Sequence, residues 1–249
     1  MKHERIDINY RIEFESAFHL GTGMRGGIVH RLVARDPDGL LYIPGSTLKG
    51  ALRDRCTRLA ECLDIETPTL HEEDWREVFG DTDMVQFIFG SRFRPGQVYF
   101  DDALLSQESR ELFGVGSDST RSGAQVPQTE QRTRVSLSRL TRTAQPGRLF
   151  TSEYGLQGLS FDGRITGLIE GTPLFESSIG TFPLLLLVAG LVSLDRLGAD
   201  KSSGAGRIRC TIEGDQIKID QSNLPIETLF AEIPAFVLYE DLREEAINR

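Results

Sequence analysis

The chain has 249 residues, 39% of them hydrophobic, and a formal net charge of -9, so it can bury a sizeable core in one large domain or in a domain with long insertions. The acidic balance excludes an indiscriminate polyanion binder, because that affinity comes from neutralised phosphates. No apolar run approaches the roughly 20 residues that span a bilayer, and Met1-Lys2-His3-Glu4-Arg5-Ile6-Asp7 is no signal region, so a cytoplasmic protein with no membrane partner is expected.

In chain order, Ile6, Ile8, Tyr10, Ile12 and Phe14 alternate with Asp7, Asn9, Arg11 and Glu13, which predicts a half-buried strand. It runs into Phe18-His19-Leu20-Gly21-Thr22-Gly23-Met24-Arg25-Gly26-Gly27, whose glycines permit close approach to a ligand. A short strand at Tyr42-Ile43 then meets the turn Pro44-Gly45 and a helix, with Ser46 or Thr47 as its expected cap. Leu48, Ala51, Leu52, Cys56, Leu59 and Leu63 give that helix one buried face. Lys49, Arg53 and Arg58 lie opposite, beyond a helix N-terminus that favours an anion such as phosphate. An ordinary amphipathic helix with solvated cations explains the same pattern.

From Glu61 to Asp83 nine acids face only Arg76, whereas Asp118 to Arg148 holds six arginines against Asp118 and Glu130. One basic surface on an acidic molecule is therefore expected. Cys56, Cys62 and Cys210 are read as reduced core residues, and with no cysteine between the last two no zinc site is expected. Gln97 to Leu105 reads as a strand, Ser106 to Gln131 as a mobile loop, and Arg132 to Gly171 as a hairpin around Gln145-Pro146-Gly147. Thr181 caps and Pro183 opens an apolar helix over Leu184 to Leu197, which must be buried on nearly every side.

The loop Gly198-Ala199-Asp200-Lys201-Ser202-Ser203-Gly204-Ala205-Gly206-Arg207 enters a strand at Ile208 to Glu213 rather than a helix, so it is no Walker P-loop. Its amides with Lys201, Ser202, Ser203 and Arg207 are candidate phosphate contacts. An acidic tail covers about 219-249. Strand, helix, strand, strand, buried helix and strand make an α+β protein on the split β-α-β, ferredoxin-like plan, enlarged by insertions at about 61-90 and 106-171. The whole of 1-249 is read as one domain.

The Ile43-Pro44-Gly45-Ser46-Thr47-Leu48-Lys49-Gly50 turn and its following Arg53 resemble the signature of the RAMP superfamily, the RNA-binding subunits of CRISPR effector complexes. The likeness extends to Phe18-His19-Leu20-Gly21, to Phe100-Asp101-Asp102-Ala103 and to the glycine-rich loop, and it is greatest to type III backbone subunits. It implies a ferredoxin-like (RRM-like) RAMP core. It also implies crRNA and complementary target RNA as ligands and other effector subunits as partners. RNA contacts are then expected from Arg25, Ser46, Lys49, Arg53, Lys201, Ser202, Ser203 and Arg207. The arginines Arg132, Arg134, Arg139, Arg142 and Arg148 resemble the family's thumb hairpin, which crosses the guide-target duplex.

In cleaving members an aspartate lies in the first loop, six residues before an acidic residue preceding the Pro-Gly-Ser turn. Counted from Asp36, that position falls on His30. The resemblance thus implies a binding subunit without tightly bound cofactor. The alternative is an endoribonuclease with His30, His19 or Asp36 as catalytic candidates, and with Mg²⁺ only in that case. Either histidine also reads as a structural hydrogen-bonder.

Overall fold

The computed structural model describes residues 2-21, 29-63, 65, 84-92, 94-113, 127-174 and 179-238. Arg25 and its glycine-rich neighbours, most of the acidic 61-90 stretch and the end of the tail lie outside the described residues. The predicted first strand is β1 (Lys2–Phe14), followed by β2 (Val29–Arg31), β3 (Tyr42–Ile43) and the helix α1 (Gly45–Cys62). Next come α2 (Met84–Phe89), β4 (Val98–Phe100), β5 (Ala103–Leu105) and α3 (Gln107–Leu112). The hairpin β6 (Thr129–Leu137) and β7 (Ala144–Gly155) precedes β8 (Ser160–Gly171) and the apolar α4 (Phe182–Val192). The chain then forms β9 (Ile208–Ile212), β10 (Gln216–Ile219), β11 (Ser222–Pro225) and α5 (Ile226–Phe230).

Among the described residues the main sheet runs β11-β10-β1-β8-β5-β3, with β9 also on β1 and β4 also on β8, every pairing antiparallel. Alternation in β1 does what period two requires: Ile6, Ile8, Tyr10, Ile12 and Phe14 are buried, in a sheet on whose strands β4, β8 and β9 the helices α1 and α4 pack. On the other face Arg164 pairs with Asp7 and Arg11 with Asp162. Gly190 of α4 lies so close to α1 that a Cβ there would stand 2.5 Å from the Cys56 sulfur. Phe14 and Phe18 stack at 3.7 Å between ring centres, and Phe161 meets both edge-on. No helix among the described residues is long and apolar enough to cross a membrane.

Several expectations are corrected. Neither Ser46 nor Thr47 caps α1; Pro44 holds the cap position without a side-chain bond, and the Gly45 N–H donates instead to Asp102 Oδ1 at 2.7 Å. Glycine is required there because a Cβ would lie 2.4 Å from the Phe100 carbonyl oxygen. Thr181 stands at the start of α4, but its buried hydroxyl makes no hydrogen bond. Cys62 is exposed, while Cys56 and Cys210 are buried.

The stretch expected as one insertion over 106-171 divides. Its first part contains α3 and the hairpin, whereas β8 is a central strand of the main sheet along the whole of β1. The hairpin does not turn at Gln145-Pro146-Gly147. It turns over 138-143, where the Ser138 and Arg142 amides donate to Thr143 and Ser138 carbonyls and Arg142 takes φ 54°. Proline has no N–H for a ladder, and Pro146 falls where the β6-β7 register shifts, in a bulge. A second sheet, β2-β7-β6, is built on this hairpin, with β2 parallel to β7.

Candidate nucleic-acid interface

Three blocks that are far apart in sequence meet at one cleft of about 750 Å³. Its walls are His19 to Gly21 with His30 to Leu32, the α1 residues Ser46, Thr47, Gly50, Ala51 and Asp54, and Gly198, Ala199 and Lys201. The contact depends on Gly198, whose φ is 93° and whose place leaves 2.6 Å between a notional Cβ and the His19 carbonyl oxygen. The Ala199 N–H donates to that same carbonyl at 2.9 Å. The cleft therefore opens on the N-terminal turns of α1, where helix amides favour an anion.

Of the expected contacts, Ser46, His19, His30 and Lys201 line the cleft. Lys49 is half-buried and Arg53 exposed on α1, and neither lines it. Ser202 and Ser203 are exposed, with the Ser203 hydroxyl donating to the Asp200 carbonyl at 2.9 Å. Arg207 is turned to Glu15, with Nε 3.0 Å from Oε2. Arg132 pairs with Glu130, while Arg134 approaches Asp200 at 3.7 Å. Arg139 and Arg142 are exposed at the hairpin turn. Asp36 is a turn residue whose Oδ1 accepts the Leu40 N–H at 2.8 Å.

The two histidines differ. His19 is buried, and its Nδ1 lies 2.7 Å from the Glu153 carbonyl, which can only accept, so Nδ1 carries the proton. Burial lowers its pKa, partly offset by that hydrogen bond, which keeps the ring neutral at pH 7. His19 is thus a structural bonder. His30 is exposed, and its Nδ1 accepts the Thr151 N–H at 3.3 Å. With Nδ1 so engaged, Nε2 is the His30 ring nitrogen left for another partner.

Sequence reasoning missed a charged network beside the cleft. Asp200 Oδ2 accepts hydrogen bonds from the Tyr154 hydroxyl and from Arg31 Nη1, the latter at 3.1 Å. Burial raises the Asp200 pKa, but Tyr154, Arg31 and Arg134 outweigh it and hold the carboxyl below its ordinary value. Glu153 accepts from Arg35 at 2.6 Å, from the Thr129 hydroxyl at 2.7 Å and from the Val33 N–H at 3.2 Å. Burial opposes and these bonds prevail, so its carboxyl is also held low. The one legible signal was a non-glycine acid inside a glycine-rich loop. Among the described residues no cluster of three or more His, Cys, Asp or Glu side chains is placed to hold a metal ion.

A family model described as the RAMP superfamily matches residues 11–209. The CRISPR system Cms endoribonuclease Csm3 of Enterococcus italicus is 27% identical over 237 residues, which cover 90% of this chain and 100% of the relative. A protein of the same description from Streptococcus thermophilus is 26% identical over 217 residues, covering 84% of this chain and 88% of the relative.

Proposed function

The chain belongs to the RAMP superfamily, and from that premise we propose that it is an RNA-binding backbone subunit of a type III CRISPR effector complex. In this reading it holds crRNA and the guide-target duplex, and other effector subunits are its neighbours. The observation that carries the reading is the cleft, where the Phe18 to Gly21 block, the start of α1 and the glycine-rich loop converge around Arg31 and Lys201. RNA gripped there is held through its backbone, and sequence is read by guide pairing.

The sheet order supports a ferredoxin-like core. Taken as β1, α1, β4 with β5, β8, α4 and β9, the core strands stand in the spatial order last, first, third, second. The hairpin β6-β7, with Arg139, Arg142 and Arg148 exposed towards its turn, then takes the place of the thumb. Excising residues 138-143 and closing the hairpin with a shorter turn is expected to leave the fold intact and to weaken guide-target duplex binding or subunit assembly. Normal assembly and normal target affinity would remove the thumb assignment.

The central test is a filter-binding titration of the purified chain with single-stranded RNA across salt concentrations. Lys201→Ala is expected to lower the log-log salt slope by about 0.7, the value for one phosphate contact on a single strand. The double variant Lys49→Ala with Arg53→Ala tests whether the flank of α1 also touches phosphates. An unchanged slope for Lys201→Ala would take the cleft out of the interface.

The second reading, an endoribonuclease, is favoured by the two relatives, both described as endoribonucleases. His30 argues for binding without cutting, since an imidazole is a poor Mg²⁺ ligand beside the oxygen donors that ion prefers. The complex assembled on a guide is therefore expected to leave complementary RNA uncut opposite this subunit. A cut there on a denaturing gel, lost in His30→Ala, would establish the second reading.

A further inference from the structure

Asp200 occupies an unusual place for an acid. It sits in the loop that lines the cleft, between Ala199 and Lys201, with a left-handed φ of 59°. Its carboxylate turns towards the second sheet and meets two guanidinium groups, Arg31 at 3.1 Å and Arg134 at 3.7 Å. The Tyr154 hydroxyl, on a fully buried side chain, fixes the same oxygen from behind. Arg31 also lines the cleft, so its guanidinium links the groove to Asp200, and Arg134 approaches the same carboxylate oxygen. One carboxylate faces two cations and leaves a positive charge over.

A carboxylate and a phosphodiester present the same thing to paired arginines: one negative charge shared by two oxygens. We propose that Asp200 is a built-in counter-anion, occupying between Arg31 and Arg134 a subsite for an RNA phosphodiester that RNA must win from the carboxylate. The inference rests on the RNA-binding reading and adds to it a residue that opposes binding. It explains why an acidic side chain stands in a loop whose next residue, Lys201, lines the cleft.

The exchange is physically accessible. Arg31 is 36% exposed and Asp200 21%, so water and salt screen their attraction. The loop bends at Gly198 and Gly204, both at positive φ, on either side of the acid. Asp200 stays ionised at neutral pH, because the Tyr154 hydrogen bond and both arginines outweigh the effect of its burial. The counter-anion is therefore present whenever RNA arrives, and it disfavours adventitious anions that bring only a single weak contact.

The test is RNA affinity of the full chain carrying Asp200→Asn, which keeps the size and tolerates the left-handed backbone. A labelled single-stranded oligoribonucleotide is expected to bind about threefold to tenfold more tightly at about 50 mM salt, the gain shrinking as salt screens the site. Asp200→Gly, which relieves the backbone as well, is expected to act in the same direction. Arg31→Ala with Arg134→Ala is expected to weaken binding, and on that background Asp200→Asn should change affinity by less than about twofold, the signature of coupled groups. Thermal melting separates this from a structural role: a lower melting temperature with tighter RNA binding fits the counter-anion, whereas loss of both would overturn it. Unchanged or weaker affinity for Asp200→Asn in a chain that binds RNA would overturn the counter-anion alone. A wild-type chain with no salt-dependent RNA binding would overturn the RNA reading beneath it.

Discussion

The two sheets of this molecule are held by different forces. The main sheet is dry on one side: β1 and β8 run together over Lys2 to Glu13, and Phe14, Phe18 and Phe161 close its end. The second sheet joins that body where Phe18 and Gly155 exchange backbone hydrogen bonds of 3.1 and 2.7 Å. Beyond the joint it depends on charges, with Arg35 on Glu153 and Arg31, Arg134 and Tyr154 on Asp200. Its far end carries Val135, Leu137, Leu140 and Leu149 in the open, Leu140 at 93% exposure. Apolar burial is indifferent to pH and moderate salt, whereas ion pairs respond to both. The contrast separates an apolar body from an appendage tied to it in part by ion pairs.

The largest effect that sharpens this contrast is expected from Phe161→Ala. Emptying a fully buried ring site should cost about 3-5 kcal/mol in denaturant unfolding, with the same pH dependence as the wild type. A cost under about 1 kcal/mol would mean that the core does not carry the fold. Glu153→Gln comes next, at about 1-3 kcal/mol, because it leaves the charge of Arg35 without its partner. Here pH decides. The Glu153 and Asp200 carboxyls are held below their ordinary values, so their stabilisation is complete above the unfolded pKa of 4.5 or 3.8 and is lost as pH falls through the folded values. An acid titration of stability should therefore be flatter in Glu153→Gln than in wild type, and equal slopes would break the assignment of charge to the second sheet.

Smaller effects test the helix start and the hairpin tip. Asp102→Ala removes the acceptor of the Gly45 N–H and is expected to cost about 1 kcal/mol, the usual loss for a helix cap, whereas Ser46→Ala should stay within about 0.5 kcal/mol. The reverse order would restore the local cap. Leu140→Ser is expected to leave thermal unfolding unchanged within about 0.5 kcal/mol, because that side chain is exposed among the described residues. A marked loss of stability would show the hairpin tip packed against something in the isolated protein.

Local signals in the sequence suffice for the elements: alternation for β1, helical spacing for α1 with Leu48, Leu52 and Cys56 buried, and uniform apolarity for α4. The family resemblance also brought Ser46 and Lys201 under suspicion as RNA contacts, and both line the cleft. The functions of individual charges were not legible. Pro146 and Gly147 look like a turn, yet the turn lies at 138-143, because Ser138 and Thr143 bond across it and a bulge accepts the proline. The cap of α1 comes from Asp102, 57 residues away, rather than from Ser46. Arg31 and Asp200 are 169 residues apart, and Arg35 and Glu153 are 118 apart. Periodicity is a property of a few consecutive residues, so the chain alone marks β1, α1 and α4 and their buried faces. Which cation meets which acid, and so which cations are left for RNA, is decided only when distant segments pack, since Coulomb attraction and desolvation depend on distance in space.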